Sequence, residues 1–180
     1  MSVAITKSLG VKGCSIWRVR DDDTVADHPN ADNISITLPS IELESTTINL
    51  MGSVDIPDIS RIGNLQLTAT IPVDAKSSLD LIEIGKSVKW QIRWVTMEYD
   101  STTSVTTPVS YKVFATGFVT SIPNAEVNAG SEGTADVTMN LIAYRKIDST
   151  HNKTIFAIDR GQGTFIFNDK DMMSNIHNMF

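Results

Sequence analysis

Apolar and polar residues alternate with a period of two along most of the chain, the signature of strands that bury one face. Ile34, Ile36 and Leu38 alternate with Ser35 and Thr37, and after a break at Pro39 the pattern resumes with Ile41 and Leu43 between Glu42 and Glu44. Leu65, Leu67, Ala69, Ile71 and Val73 form a longer set. Val88, Trp90, Ile92 and Trp94 face one way, with Lys89, Gln91 and Arg93 opposite. Tyr111, Val113 and Ala115 run on to Val119, and Ala135, Val137, Met139, Leu141 and Ala143 repeat the pattern. Ile155, Ala157 and Phe165 to Phe167 predict shorter strands.

Glycine, proline and asparagine fall between these runs, at Gly52, Pro57, Gly63-Asn64, Gly85, Pro108 and Gly130-Ser-Glu-Gly133, where turns are expected. Val109–Ile122 and Thr134–Asp148 read as two long antiparallel strands around a glycine-rich turn. Two segments read as helical. Ser77-Ser78 is a cap for residues 79–84, which end at Gly85, and Asp169–His177 is a short C-terminal helix. The pattern predicts a mainly β fold over 1–180 as a single domain: two packed antiparallel sheets, sandwich- or barrel-like, with one or two short α-helices.

With 180 residues, 41% of them hydrophobic, the chain has the profile of a folded protein, and its longest apolar runs are far too short for a membrane helix. One cysteine, Cys14, excludes an internal disulfide and fits folding in a reducing cytoplasm. The net charge of −6 argues against a general nucleic-acid binder. That charge is unevenly placed. From Asp21 to Ser60 there are nine acids and no lysine or arginine, so the remaining chain is net basic.

No catalytic or metal constellation emerges. Asp21-Asp22-Asp23, Asp27, His28 and Asp32 lack the ligand spacing of a calcium loop and read as a solvated acidic loop. Three scattered histidines with one cysteine do not make a zinc site. A Cys14–His28 nucleophile pair, the basis of a small hydrolase, has no local signature. Gly161-Gln-Gly163 lacks the lysine and helix of a phosphate loop. Trp90 and Trp94 share a strand face and offer an alternative reading as the sugar platform of a β-sandwich carbohydrate-binding module, against core packing.

The stretch from Gly117-Phe-Val-Thr-Ser-Ile-Pro-Asn124 through Gly130-Ser-Glu-Gly133 to Leu141-Ile-Ala-Tyr144 resembles the major tail tube proteins of contractile-tailed phages and of the related tailocins. In that family a long strand, a Gly-x-x-Gly turn and a return strand ending near an aromatic residue follow one another. Ile158-Asp159-Arg160, the end of the chain from Asn168 to Phe180, and Ile36-Thr-Leu-Pro39 followed by Met51-Gly52 are similar to further parts of the family pattern. The resemblance spans roughly residues 33 to 180, and the segment before it has no counterpart.

The resemblance implies a non-enzymatic structural subunit without cofactor or metal. Its copies form hexameric rings that stack into a hollow tube inside a contractile sheath, in the virion tail, after assembly in the bacterial cytoplasm. The implied partners are further copies of the chain, the sheath, baseplate and tail terminator proteins, a tape measure protein in the lumen, and genomic DNA passing through without specific binding. A tailocin tube leaks ions instead. Glu42 and Glu44, which point away from Ile41 and Leu43, are the candidate lumen-facing acids. Met51, Gly52, Val54, Ile56 and Pro57, in an extended segment with little structure of its own, are the candidate ring-to-ring contact.

Overall fold

A computed structural model describes residues 6–32, 34–49, 52–72, 76–121 and 133–174. Their strands form two antiparallel sheets, one large and one consisting of a single hairpin, with no closed barrel. The large sheet is built on long strands: β1 (Thr6–Val19), β7 (Ser87–Asp100), β8 (Val105–Val119) and β9 (Thr134–Asp148) lie side by side. β9 is the branch point. Its first half pairs with β6 (Gln66–Pro72) and its second half with β10 (Lys153–Asp159). β11 (Thr164–Phe167) and β12 (Lys170–Asp171) continue beyond β10. On one side β2 (Ala31–Asp32) bonds to β1, and on the other β3 (Ser35–Thr37) bonds to β6. The sheet therefore curls around one core.

The core follows the alternation. Leu65, Leu67, Ala69 and Ile71, then Val88, Trp90 and Ile92, then Val113 and Ala115, then Val137, Met139 and Leu141 are all buried. Full burial of each large side chain is worth about 1.5–3 kcal/mol, so this set dominates stability. The alternation slips in β9, and the backbone explains it. A bulge between Thr116/Ala143 and Gly117/Leu141 inserts one residue into β9, so Tyr144 is buried where the period-two pattern predicts Ala143. Gly117 permits the bulge: a Cβ there would lie 2.1 Å from the Asn140 carbonyl oxygen. Burial pushes the Tyr144 hydroxyl well above the usual phenol range.

The helices differ from the pattern. α1 is one turn, Lys76–Leu79, and it tightens into the bonds Leu81 N–H to Ser78 C=O (3.1 Å) and Ile82 N–H to Leu79 C=O (3.0 Å) instead of running to Ile84. The Trp90 indole donates to the Leu81 carbonyl at 2.9 Å, which takes an acceptor that a longer helix would use. At the other end of the chain Lys170–Asp171 is strand, paired with Ile166 and Phe167, where a helix was predicted. The rest of that segment from 175, the turn 122–132, and Met51 lie outside the described residues.

The second sheet is the hairpin of β4 (Leu43–Asn49) and β5 (Ser53–Ile62). The extended segment around Gly52 is therefore paired strand, with Ile48 opposite Val54 and Thr46 opposite Ile56.

Candidate assembly surface

Among the described residues the β4–β5 hairpin is anchored at its base. Leu43 and Ile62 pack against the core, whereas β4 is exposed from Glu44 to Asn49 and the main contacts of both strands are with each other. Ile48 and Ile56 are 40% and 44% exposed. Register places both on one face of the hairpin, because Ile56 pairs with Thr46 and residues 46 and 48 share a side. Asp55 is on the other face, where it accepts a 2.6 Å hydrogen bond from Thr47. An isolated two-stranded hairpin is marginally stable in water, so a projecting one with an apolar face calls for a surface to cover it.

Glu42 and Glu44 stand at the hairpin base. Both are exposed and alternate with the partly buried Ile41 and Leu43. Glu44 lies 3.9 Å from Arg61, a loose exposed pair, and the Glu42 backbone carbonyl accepts from Gly63 N–H at 2.8 Å. Gly52 and Pro57 are exposed on the hairpin. The structure thus places the acids at the base, and Gly52, Ile56 and Pro57 of the predicted contact segment along the exposed part. A signal for the hairpin was available in the sequence: Thr46 and Ile48 on one side of Met51-Gly52 mirror Val54 and Ile56 on the other.

Beside the hairpin base lies an open apolar groove of about 420 Å³, lined by Ile41, Leu43, Phe156, Phe167 and Met172 with Lys146 at its wall. Phe167 is 46% exposed. Lys146 is held over two rings, 5.4 Å from Trp94 and 5.6 Å from Tyr111, and burial pushes its ammonium below the usual lysine range. Trp94 and Tyr111 stack at 5.4 Å, and the Tyr111 hydroxyl donates to Glu98 at 3.1 Å. Trp90 is 1% exposed, so the two tryptophans form no open sugar platform.

Burial pushes the Cys14 thiol up, the reverse of an activated nucleophile, and His28 sits in an exposed loop. Among the described residues no group of three or more histidines, cysteines and carboxylates is placed to hold a metal. The acidic loop is a tight turn: Asp22 accepts from Thr24 N–H and Oγ1 at 3.0 and 2.6 Å, and Asp23, at φ 60°, pairs with Lys89 at 2.5 Å.

Long strands, a hairpin exposed along most of its length and an open apolar groove at its base are the main features of this surface. The family model of phage tail tube protein FII matches residues 29–179. The chain belongs to that family and has a structural role in a phage tail tube. No curated protein matches it.

Proposed function

We propose that residues 1–180 act as one unit, the repeating subunit of the inner tube of a contractile tail, with hexameric rings stacked around a channel for DNA, or for ions in a tailocin. The observation that carries the reading is the β4–β5 hairpin, which exposes Ile48 and Ile56 on an element that makes few contacts with its own subunit. Burial of such a face by a neighbouring ring explains why it is tolerated. In this reading Met51, Gly52, Val54, Ile56 and Pro57 supply the ring-to-ring contact. Glu42 and Glu44 face the lumen, where like charge keeps phosphates from adhering: duplex DNA carries about one negative charge per 1.7 Å, and a wall that grips it slows its passage.

The sheath surrounds the tube, baseplate and terminator proteins close its ends, and the tape measure protein fills it before DNA enters. Negative-stain microscopy of the purified chain, alone and with a baseplate initiator, tests the proposal. Rings or tubes with sixfold end views are expected. A protein that remains monomeric at every concentration with initiator present overturns it.

A further inference from the structure

The outward face of the large sheet holds a cluster of like charge without an ion-pair partner among the described residues; Asp32, one strand beyond Ser15 in the same row, accepts from the Ser15 hydroxyl instead. Register sets Arg93 of β7 directly opposite Lys112 of β8, and like charges in that position weaken a ladder. Arg93 is held in place from two sides: its Nη2 donates to the Gln91 side chain at 2.6 Å, and its guanidinium lies 4.4 Å from the centre of the Trp17 ring. Both partners are neutral, and the Arg93 Nε is buried without a hydrogen bond. Irregularities in β1 between Ser8 and Cys14, with Gly13 at φ 94°, interrupt the ladder where Lys12 joins the same surface. Lys12, Arg93 and Lys112 line one hollow of about 310 Å³ with the Trp17 ring at its wall. Among the described residues none of the three is in a salt bridge.

We infer that this hollow receives the acidic turn Asp21–Asp27 of a second copy of the chain. Charge complementarity selects the occupant: the segment 21–60 carries nine acids and no base, while the rest of the chain is net basic. Two backbone hydrogen bonds close the turn, Arg20 N–H to Thr24 C=O at 2.9 Å and Asp23 N–H to Arg20 C=O at 3.0 Å. Asp21 and Asp27 are left exposed. Its fit to lysine on this face is already visible within one copy, where Asp23 binds Lys89. The turn does not serve its own hollow, because the Val19–Val25 bridge pins it at the Lys89 end, and Lys89 and Arg93 are about 13 Å apart along β7.

Turn and hollow are different surfaces, so the contact is heterologous and propagates into a ring or a filament. The inference rests on the tube reading and adds the electrostatic contact that joins its copies.

Two charge reversals and their combination test it. Lys12→Glu with Lys112→Glu, and Asp21→Lys with Asp27→Lys, should each raise the concentration needed for assembly about tenfold or more. All four together should restore assembly. Folding is not at issue in the first variant, since a glutamate opposite Arg93 replaces a repulsive cross-strand pair with an attractive one. Independently, Asp21→Cys copies mixed with Lys112→Cys copies, both carrying Cys14→Ser, should form a disulfide between copies on oxidation.

Unchanged assembly in both reversals, no rescue in the combination, or no disulfide overturns the inference. Retention of duplex DNA by the natural chain that Lys12→Glu/Lys112→Glu loses, with assembly intact, also overturns it and makes phosphate the occupant. A natural chain that forms neither rings nor tubes sinks the tube reading, and the disulfide at high protein concentration then decides the contact alone.

Discussion

Replacing Gly117 with alanine adds one methyl group at the β8–β9 bulge, and the structure sets the cost. The new Cβ falls 2.1 Å from the Asn140 oxygen, 2.9 Å from the Asn140 carbonyl carbon and 3.0 Å from the Leu141 Cα. All three are backbone atoms, so no side-chain rotation relieves the clash, and ordinary contact requires a retreat of more than about 1 Å. That retreat pulls β9 from β8 where Leu141 and Tyr144 enter the core, both at 3% exposure. Overpacking of this kind costs about 1–3 kcal/mol and sometimes more, and a main-chain clash belongs at the upper end.

The opposing term is small: glycine-to-alanine stabilises by about 0.4–1 kcal/mol where the conformation suits. The expected net is a loss of about 2–3 kcal/mol, or roughly 4–12 °C in Tm for a chain of this size. Gly52→Ala is the internal control, because its Cβ meets nothing within 4 Å and its φ is not in the left-handed region. It should change stability by no more than about 1 kcal/mol, in the favourable direction. Denaturant unfolding of the unassembled chain measures both. A Gly117→Ala midpoint equal to that of Gly52→Ala would refute the assignment of the bulge as a site that admits glycine alone.

Trp90→Phe should destabilise by about 1–3 kcal/mol, since it leaves the Leu81 carbonyl unpaired at a buried site, and Trp90→Ala by about 3–5 kcal/mol; equal stability of Trp90→Phe and the natural chain contradicts the packing role. Ile48→Ser with Ile56→Ser should leave the stability of the free subunit within about 0.5 kcal/mol, because both side chains are exposed there, yet abolish tube formation by microscopy if the proposed ring contact holds. Asp148 offers a pH test: burial works to raise its carboxyl, but hydrogen bonds from the His151 ring (2.6 Å) and from the backbone N–H groups of His151 and Thr150 outweigh it and hold the group below the usual carboxylate range. A depressed carboxylate stabilises above its unfolded value near 3.9 and loses that contribution as pH falls through its lower folded value. Asp148→Asn should therefore cost stability at pH 7, and the gap should close during acid titration; a gap that is constant from pH 7 to pH 2 refutes the assignment.

Much of this protein is legible in its residue order. Alternation at Leu65–Ile71, Val88–Ile92 and Val137–Leu141 marks the strands and the side each buries, because a pleated strand turns successive side chains to opposite faces whatever surrounds it. The uneven charge and the resemblance to tail tube proteins are likewise properties of the order alone. Other features depend on partners distant in the chain. Tyr144 displaces Ala143 from the core because a bulge opposite Gly117 resets the register, and only the pairing of β8 with β9 creates that bulge. The helix stops after one turn where Trp90 bonds the Leu81 carbonyl. Arg93, Lys112 and Lys12 are isolated bases when read in order. They become one charged hollow because antiparallel register brings three strands side by side, and register is a product of the whole sheet.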